Sequence, residues 1–268
     1  MELVLTNDLA IKIEKSEIDC LYSRLSAIQA RVGNPMGVSI EKFGQATAFS
    51  VKNIPGPAFN TVKGLSAGDE DYIEDILNFY KEKDIPVRFE LPPAQVSKEL
   101  LSYLSKKGFL QTDFHSSLYS ALDTECEEGD ELIHVRELDK SEYDLFGELY
   151  IQGFQMPSFL KSAIAENNEV LYNIDGWKFY LATFEKESAG IGVLFHKDGI
   201  ATLAAATTVP EYRNKGVQTA LLKGRINQAI RQNCNLVVGQ ARYGSISQNN
   251  MERVGLKIAY TKAIWTMG

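Results

Sequence analysis

Residues 207–222, TTVPEYRNKGVQTALL, carry the most specific chemistry in the chain. A run of strand character ends at Pro210. A short segment with Arg213, Lys215 and Gly216 then leads into residues with helical periodicity. The first N–H groups of a helix have no backbone partner and carry partial positive charge, so a phosphate binds there readily. Gly216 puts no side chain in the way of close approach, and the two cations add attraction. The other familiar chemistries are missing: no Walker loop, nucleophile-elbow serine or dinucleotide G-x-G-x-x-G occurs. His115, His134 and His196 lie apart, without Asp, Cys or Glu at ligand spacing, and predict no metal site. Cys20, Cys126 and Cys234 form an odd, widely spaced set. That argues against a disulfide framework or structural zinc and fits a reducing, cytoplasmic setting.

The elements needed to hold such a loop can be read around it. WKFYLATFEK and AGIGVLFHKDGIATLAAATTV predict three consecutive strands, with HKDG turning between the second and third. Residues 216–232 predict a helix, with Leu222, Ile226, Ala229 and Ile230 on one face. NLVVGQAR predicts a buried strand after it. Strand, helix and strand in this order imply a right-handed crossover between parallel strands. A helix over 246–254 stopped by Gly255, and a strand KIAYTKAIWTM, finish the chain. Upstream, helices are expected from Ser141 and over 158–166.

The first half is harder to divide. A helix is expected over 71–83, a strand at 87–91 ended by Pro92 and Pro93, a helix over 97–107 and a strand at 114–122. GPAFNTVKGLSAGDEDY reads as loop. The acidic stretch DTECEEGD, 123–130, reads as a linker. It gives domains 1–126 and 130–268, in line with the length of 268 residues. The N-terminus, with Glu2 and Thr6, does not read as a secretory signal, and no run of 18 apolar residues would span a membrane.

Net charge is -7, which argues against nucleic-acid binding. Yet 211–242 holds six basic side chains (Arg213, Lys215, Lys223, Arg225, Arg231, Arg242) against Glu211. Such a cluster suits a small anionic ligand, or is simply a solvated helix face.

On these residues the chain resembles the GCN5-related N-acetyltransferase superfamily. Its phosphate loop, [QR]-x-x-G-x-[GA], is matched by Arg213-Asn214-Lys215-Gly216-Val217-Gln218. Val209-Pro210-Glu211-Tyr212 before it and Ala220-Leu221-Leu222 after it also agree. A second signature, E-K-x-G-F before a final strand, is matched by Glu252-Arg253-Val254-Gly255-Leu256. The resemblance covers 130–268. More faintly it extends to the first half, where Gly108-Phe109 corresponds to Gly255-Leu256 without an R-x-x-G loop. The implied architecture is α/β with mixed sheets: tandem domains, each a mostly antiparallel sheet with one parallel strand-helix-strand crossover, the first degenerate.

The resemblance implies acetyl-CoA as cosubstrate. The backbone N–H groups of Asn214, Lys215, Gly216, Val217, Gln218 and Thr219 would hold its pyrophosphate, beside Arg213 and with Asn250 nearby. Thr208 and Val209 would meet the pantetheine and the thioester carbonyl. Two departures stand out. Gln218 occupies the second Gly/Ala position, and Met251 stands where many members have the tyrosine that protonates the leaving thiolate. Tyr260 and Ser247 are the substitute candidates, with Tyr243, Asn249 and Asn250 also near in sequence. Met251 and Tyr260 read equally well as core.

The implied reaction is transfer of acetyl to the amine of a small molecule, with Phe154, Met156, Pro157 and Phe159 on the acceptor side. Two alternatives are a non-catalytic acyl-CoA-binding module and a tandem transferase of aminoacyl or thiol-metabolite type. Neither nucleic acid nor membrane is expected as a partner, and a homo-oligomer is compatible with the sequence.

Overall fold

The structure is a computed structural model and describes residues 3–54, 56–127 and 130–268. Glu2 of the N-terminal reading, and Glu128 and Gly129 of the expected linker, lie outside the described residues. In chain order the elements are α1 (Asn7–Gln29), β1 (Val38–Phe43), β2 (Ala46–Val51), β3 (Thr61–Lys63), α2 (Ile73–Lys81), β4 (Arg88–Leu91), α3 (Lys98–Lys106) and β5 (Phe109–Ala121). They continue with β6 (Ile133–Glu137), α4 (Tyr143–Gly153), α5 (Lys161–Glu169), β7 (Trp177–Phe184), β8 (Glu187–Lys197), β9 (Ile200–Thr208), α6 (Val217–Arg231), β10 (Leu236–Arg242), α7 (Ile246–Arg253) and β11 (Lys257–Met267). No described helix is long and apolar enough to cross a membrane.

The chain forms two compact units, and no single cut separates them. The first contains residues up to 117 together with 241–245 and 258–268. The second contains 118–240 and 246–257.

In the first unit the strands run β1-β2-β3-β4-β11-β5. β1 and β2, β2 and β3, and β4 and β11 pair antiparallel, while β3 and β4 pair in parallel through Val62 and Phe89 with α2 as the crossover. Val62, Ile73, Ile76, Phe89, Leu100, Leu104 and Phe109 bury the apolar side of that crossover. Residues 61–63, expected as loop, are the fully buried strand β3. Gly56 and Pro57 before them and Gly64 after them hide three strand residues that pair with β2 and β4.

Helix α1 is 23 residues long, begins at a Thr6 cap and buries Glu14 and Glu17. These two acids meet Lys262 of β11, which also reaches Glu90 of β4; Lys63 of β3 pairs with Glu90 as well. Every member is at least nine-tenths buried. Charges survive at such depth only when paired, and removing one partner strands the rest. Burial works to neutralise Glu90, but Lys63, Lys262 and Arg88 hold its carboxyl well below the usual range. Burial also opposes the Lys262 charge, and Glu14, Glu17 and Glu90 overcome it, raising the Lys262 pKa.

In the second unit β6, β7, β8 and β9 form an antiparallel meander, and β10 adds in parallel to β9 across α6. The expected turn between β8 and β9 is present, with Asp198 and Gly199 both at positive φ as a tight hairpin requires. Tyr143, Phe146 and Phe179 stack edge to face beneath α4.

Segment 123–127, part of the expected linker, lies along α6. The Cys126 N–H donates to Asn227 Oδ1 at 2.7 Å, and the Asn227 amide returns a bond to the Cys126 carbonyl at 3.0 Å. Glu125 pairs with Arg231, and Lys223 donates to the Glu127 carbonyl.

Candidate acyl-CoA site

Between β9 and α6 the backbone is set by residues in unusual conformations. Asn214 has φ +63° and Gly216 φ +86°. Gly216 is the N-cap of α6, and no side chain caps the helix. The first backbone bond inside α6 runs from the Ala220 N–H to the Gly216 carbonyl. Among the described residues no acceptor is found for the N–H groups of residues 214–219. These six successive donors lie at the positive end of a 15-residue helix, beside the exposed residues 213–216. Gln218, at the departure position, is partly buried.

The basic cluster is less available than its count implies. Arg213 donates to the Gly153 carbonyl at 2.8 Å, closing the C-terminus of α4. Arg225 is buried, Arg231 and Lys223 hold 123–127, and Arg242 lies 3.5 Å from Asp113. Lys215 remains beside the loop, its ammonium over the rings of Phe184 and Tyr212 at 4.8 and 5.2 Å.

β9 supplies the second half of the site. Its pairing with β10 stops at Leu203 and Gly239, while β8 follows it to Thr208. From Ala204 to Thr208 the edge away from β8 has no strand beside it among the described residues. The Val209 N–H donates to Ala189 and its carbonyl accepts from Tyr212, so both groups are engaged within the protein. By strand alternation, the N–H and C=O of Ala206 and Thr208 point to the open edge. The Thr208 Oγ1 is buried and has no hydrogen-bond partner among the described residues. A register shift opposite Val193 and Leu194 leaves Ala204 as an extra, bulged residue at the start of this segment.

On helix α7, Met251 is buried against Gly239 of β10. Ser247 is one turn earlier on the same helix and is exposed. The Asn250 side chain accepts from Arg253 at 2.9 Å. Gly153, at the end of α4, packs against the Thr207 side chain with no room for a Cβ. Phe154, Met156 and Phe159 follow it and are exposed, at 44%, 37% and 80%.

Tyr260 belongs to the first unit and is buried, and its hydroxyl donates to Glu14 at 3.1 Å. Burial and then the Glu17 and Glu14 charges push its pKa far up. This partner lies 246 residues away and has no local signal.

The equivalent strand-loop-helix of the first unit, β3 to α2, is chemically opposite. Its loop is closed by its own acids. Asp69 accepts from the N–H groups of Gln45 and Ser66 and from the Ser66 hydroxyl, and Glu70 accepts from the Gly68 N–H. The Ser66 and Gly68 N–H groups of this loop are already occupied by carboxylates.

No protein-family model matches the chain, and no curated protein matches it either. Solved structures do. A GCN5-related N-acetyltransferase from Kribbella flavida superposes with a TM-score of 0.65 at 11% identity, covering 91% of this chain and 95% of that one. One from Sphaerobacter thermophilus gives 0.58 at 13%, covering 84% and 81%. A tandem protein of this kind from the clavulanic acid biosynthesis pathway, solved without acetyl-CoA, gives 0.62 at 11%, covering 82% and 77%. At such identities the agreement lies in the order and pairing of elements, and in those terms the chain has the tandem fold of the GCN5-related N-acetyltransferases.

Proposed function

We propose that the protein transfers an acetyl group from acetyl-CoA to the amine of a small molecule, using the site of its second half. The observation that carries this reading is the run of unpartnered N–H groups at 214–219, next to the open edge of β9. Residues 214–219, with Lys215, hold the pyrophosphate. Thr208 pairs with the amides of the pantetheine arm through its backbone groups, and the Ala206 N–H faces the acyl oxygen. Acetyl-CoA supplies an activated acetyl group. The chain supplies orientation, and donors aimed where negative charge develops on the acyl oxygen. In the net reaction an N–C bond forms and a C–S bond breaks. The amine loses a proton and the departing sulfur gains one, and Ser247 or solvent serves that sulfur. Phe154, Met156 and Phe159 favour an acceptor with an apolar face beside its amine. The first half, 1–126, has no second site of this kind, because Asp69 and Glu70 fill its loop.

One observation favours a second reading, an acyl-CoA-binding module without turnover. Met251 offers no proton, and residues 201–208 contain no acid to serve as base. Incubation of the full chain with acetyl-CoA and a panel of primary amines separates the two. Release of free thiol together with an acetylated amine is expected. Tight acetyl-CoA binding with neither product across the panel would favour the module, and absence of binding would refute both.

A further inference from the structure

Arg225 is a cation where a hydrocarbon would pack. It lies on α6 facing the sheet and is 1% exposed. Its Nε donates to the Leu221 carbonyl at 2.9 Å. Its Nη1 donates to two carbonyls, Val193 of β8 at 3.2 Å and Ala205 of β9 at 3.3 Å. No carboxylate pairs with it among the described residues. Burial lowers its pKa to about 10, which still leaves it charged at neutral pH. Burying a charge against carbonyl dipoles alone is costly, and an aliphatic side chain of similar length would fill the space without that cost. Room is made for the cation: Gly192, opposite Ala206, is where a Cβ would come within 3.0 Å of the Nε.

The two shared carbonyls lie at the β9 bulge, where the regular ladder is interrupted by Ala204. The Ala205 carbonyl and the Ala206 N–H belong to one planar peptide and point in opposite directions. A cation bonded to the carbonyl draws electron density through that peptide and makes the N–H a stronger donor. The Ala206 N–H is the one that strand alternation turns to the open edge.

We propose that Arg225 is a positioning residue that polarises the Ala205–Ala206 peptide toward the thioester carbonyl of a bound acyl-CoA. This rests on the acetyl-CoA reading of the same site.

The test is isotope-edited infrared difference spectroscopy of acetyl-CoA, labelled with carbon-13 at the acyl carbonyl, on the full chain. Wild type is compared with Arg225→Met and Arg225→Lys. In wild type the bound carbonyl stretch moves to lower frequency than in free acetyl-CoA. Arg225→Met loses most of that displacement, while CoA affinity stays within about threefold because the phosphate loop is untouched. Arg225→Lys keeps the charge but not the fork, and retains part of the displacement. If Arg225→Met does not fold, the lysine variant decides alone, and a full wild-type displacement in it refutes the proposal. A residue that merely braces the bulge would lower thermal stability and leave the displacement unchanged, which also refutes it. Wild-type protein that binds no acetyl-CoA would overturn the functional reading itself. Binding with equal displacements in all three proteins would overturn only the role of Arg225.

Discussion

Replacing Gly216 by alanine and by aspartate should order stability and affinity oppositely. The residue sits at φ +86°, and an added Cβ would lie 3.3 Å from the Ile133 Cδ1, a methyl end that can yield. A left-handed backbone costs a non-glycine residue about 1–2 kcal/mol, so Gly216→Ala should lose roughly that much stability. Aspartate has the same backbone cost. Its carboxylate, though, caps a helix that no side chain caps now, and returns about 0.5–1 kcal/mol. Gly216→Asp should therefore be the more stable variant.

Binding should run the other way. Alanine leaves the N–H groups free and costs a few-fold in affinity. Aspartate occupies them and sets a negative charge about 5 Å from a pyrophosphate. At an effective dielectric constant of about 20 that repulsion is about 3 kcal/mol before salt screening, or on the order of 10–100-fold in dissociation constant once screened. Thermal unfolding and CoA calorimetry at low and high salt measure both orders. Equal affinities for the two variants would refute anion binding at this helix terminus.

Burial lowers the His115 pKa from 6.5 to about 4, so the fold holds a neutral imidazole that the unfolded chain would protonate. Stability from this group is complete above pH 6.5 and is lost as pH falls toward 4, by roughly 3 kcal/mol at most. Denaturant unfolding should show a shallower pH dependence over that window in His115→Gln, and parallel profiles would contradict the assignment. Tyr260→Phe removes the hydroxyl that donates to buried Glu14, whose Oε1 has no partner among the described residues. About 1–3 kcal/mol of stability should go with CoA affinity unchanged; a tenfold loss of affinity would put Tyr260 in the site after all. Arg213→Ala frees the Gly153 carbonyl and should cost about 1 kcal/mol while leaving the salt dependence of CoA binding as in wild type. A shallower salt dependence would mean that the guanidinium meets phosphate directly.

The loop between β9 and α6 was legible because its signals are local: a proline after alternating residues, a glycine before a periodic helix. What escaped depends on contacts distant in sequence. Helix α1 has no clear apolar stripe because Glu14, Ser16 and Glu17 are on its buried side, and periodicity equates burial with apolarity. β3 was lost because Lys63 is one of its three residues and its charge is matched by Glu90. The final strand follows α7 in sequence, yet 258–268 fold with the first unit, where Lys262 meets Glu14, Glu17 and Glu90. The basic cluster of 211–242 promised more phosphate-binding charge than the fold leaves free, since charge counts do not reveal that Arg213 holds a helix end or that Arg225 is buried. The β9 bulge has no sequence signature, because Ala204 is one of three consecutive alanines.

Hydrogen exchange of the full chain, with and without saturating CoA and read by mass spectrometry peptide by peptide, tests the central claim most directly. The unpartnered amides of 214–219 and the open edge of β9 at 204–208 should become protected, while the loop at 64–70 exchanges as before. Protection at 64–70, or none at 214–219 when CoA is demonstrably bound, would contradict the account.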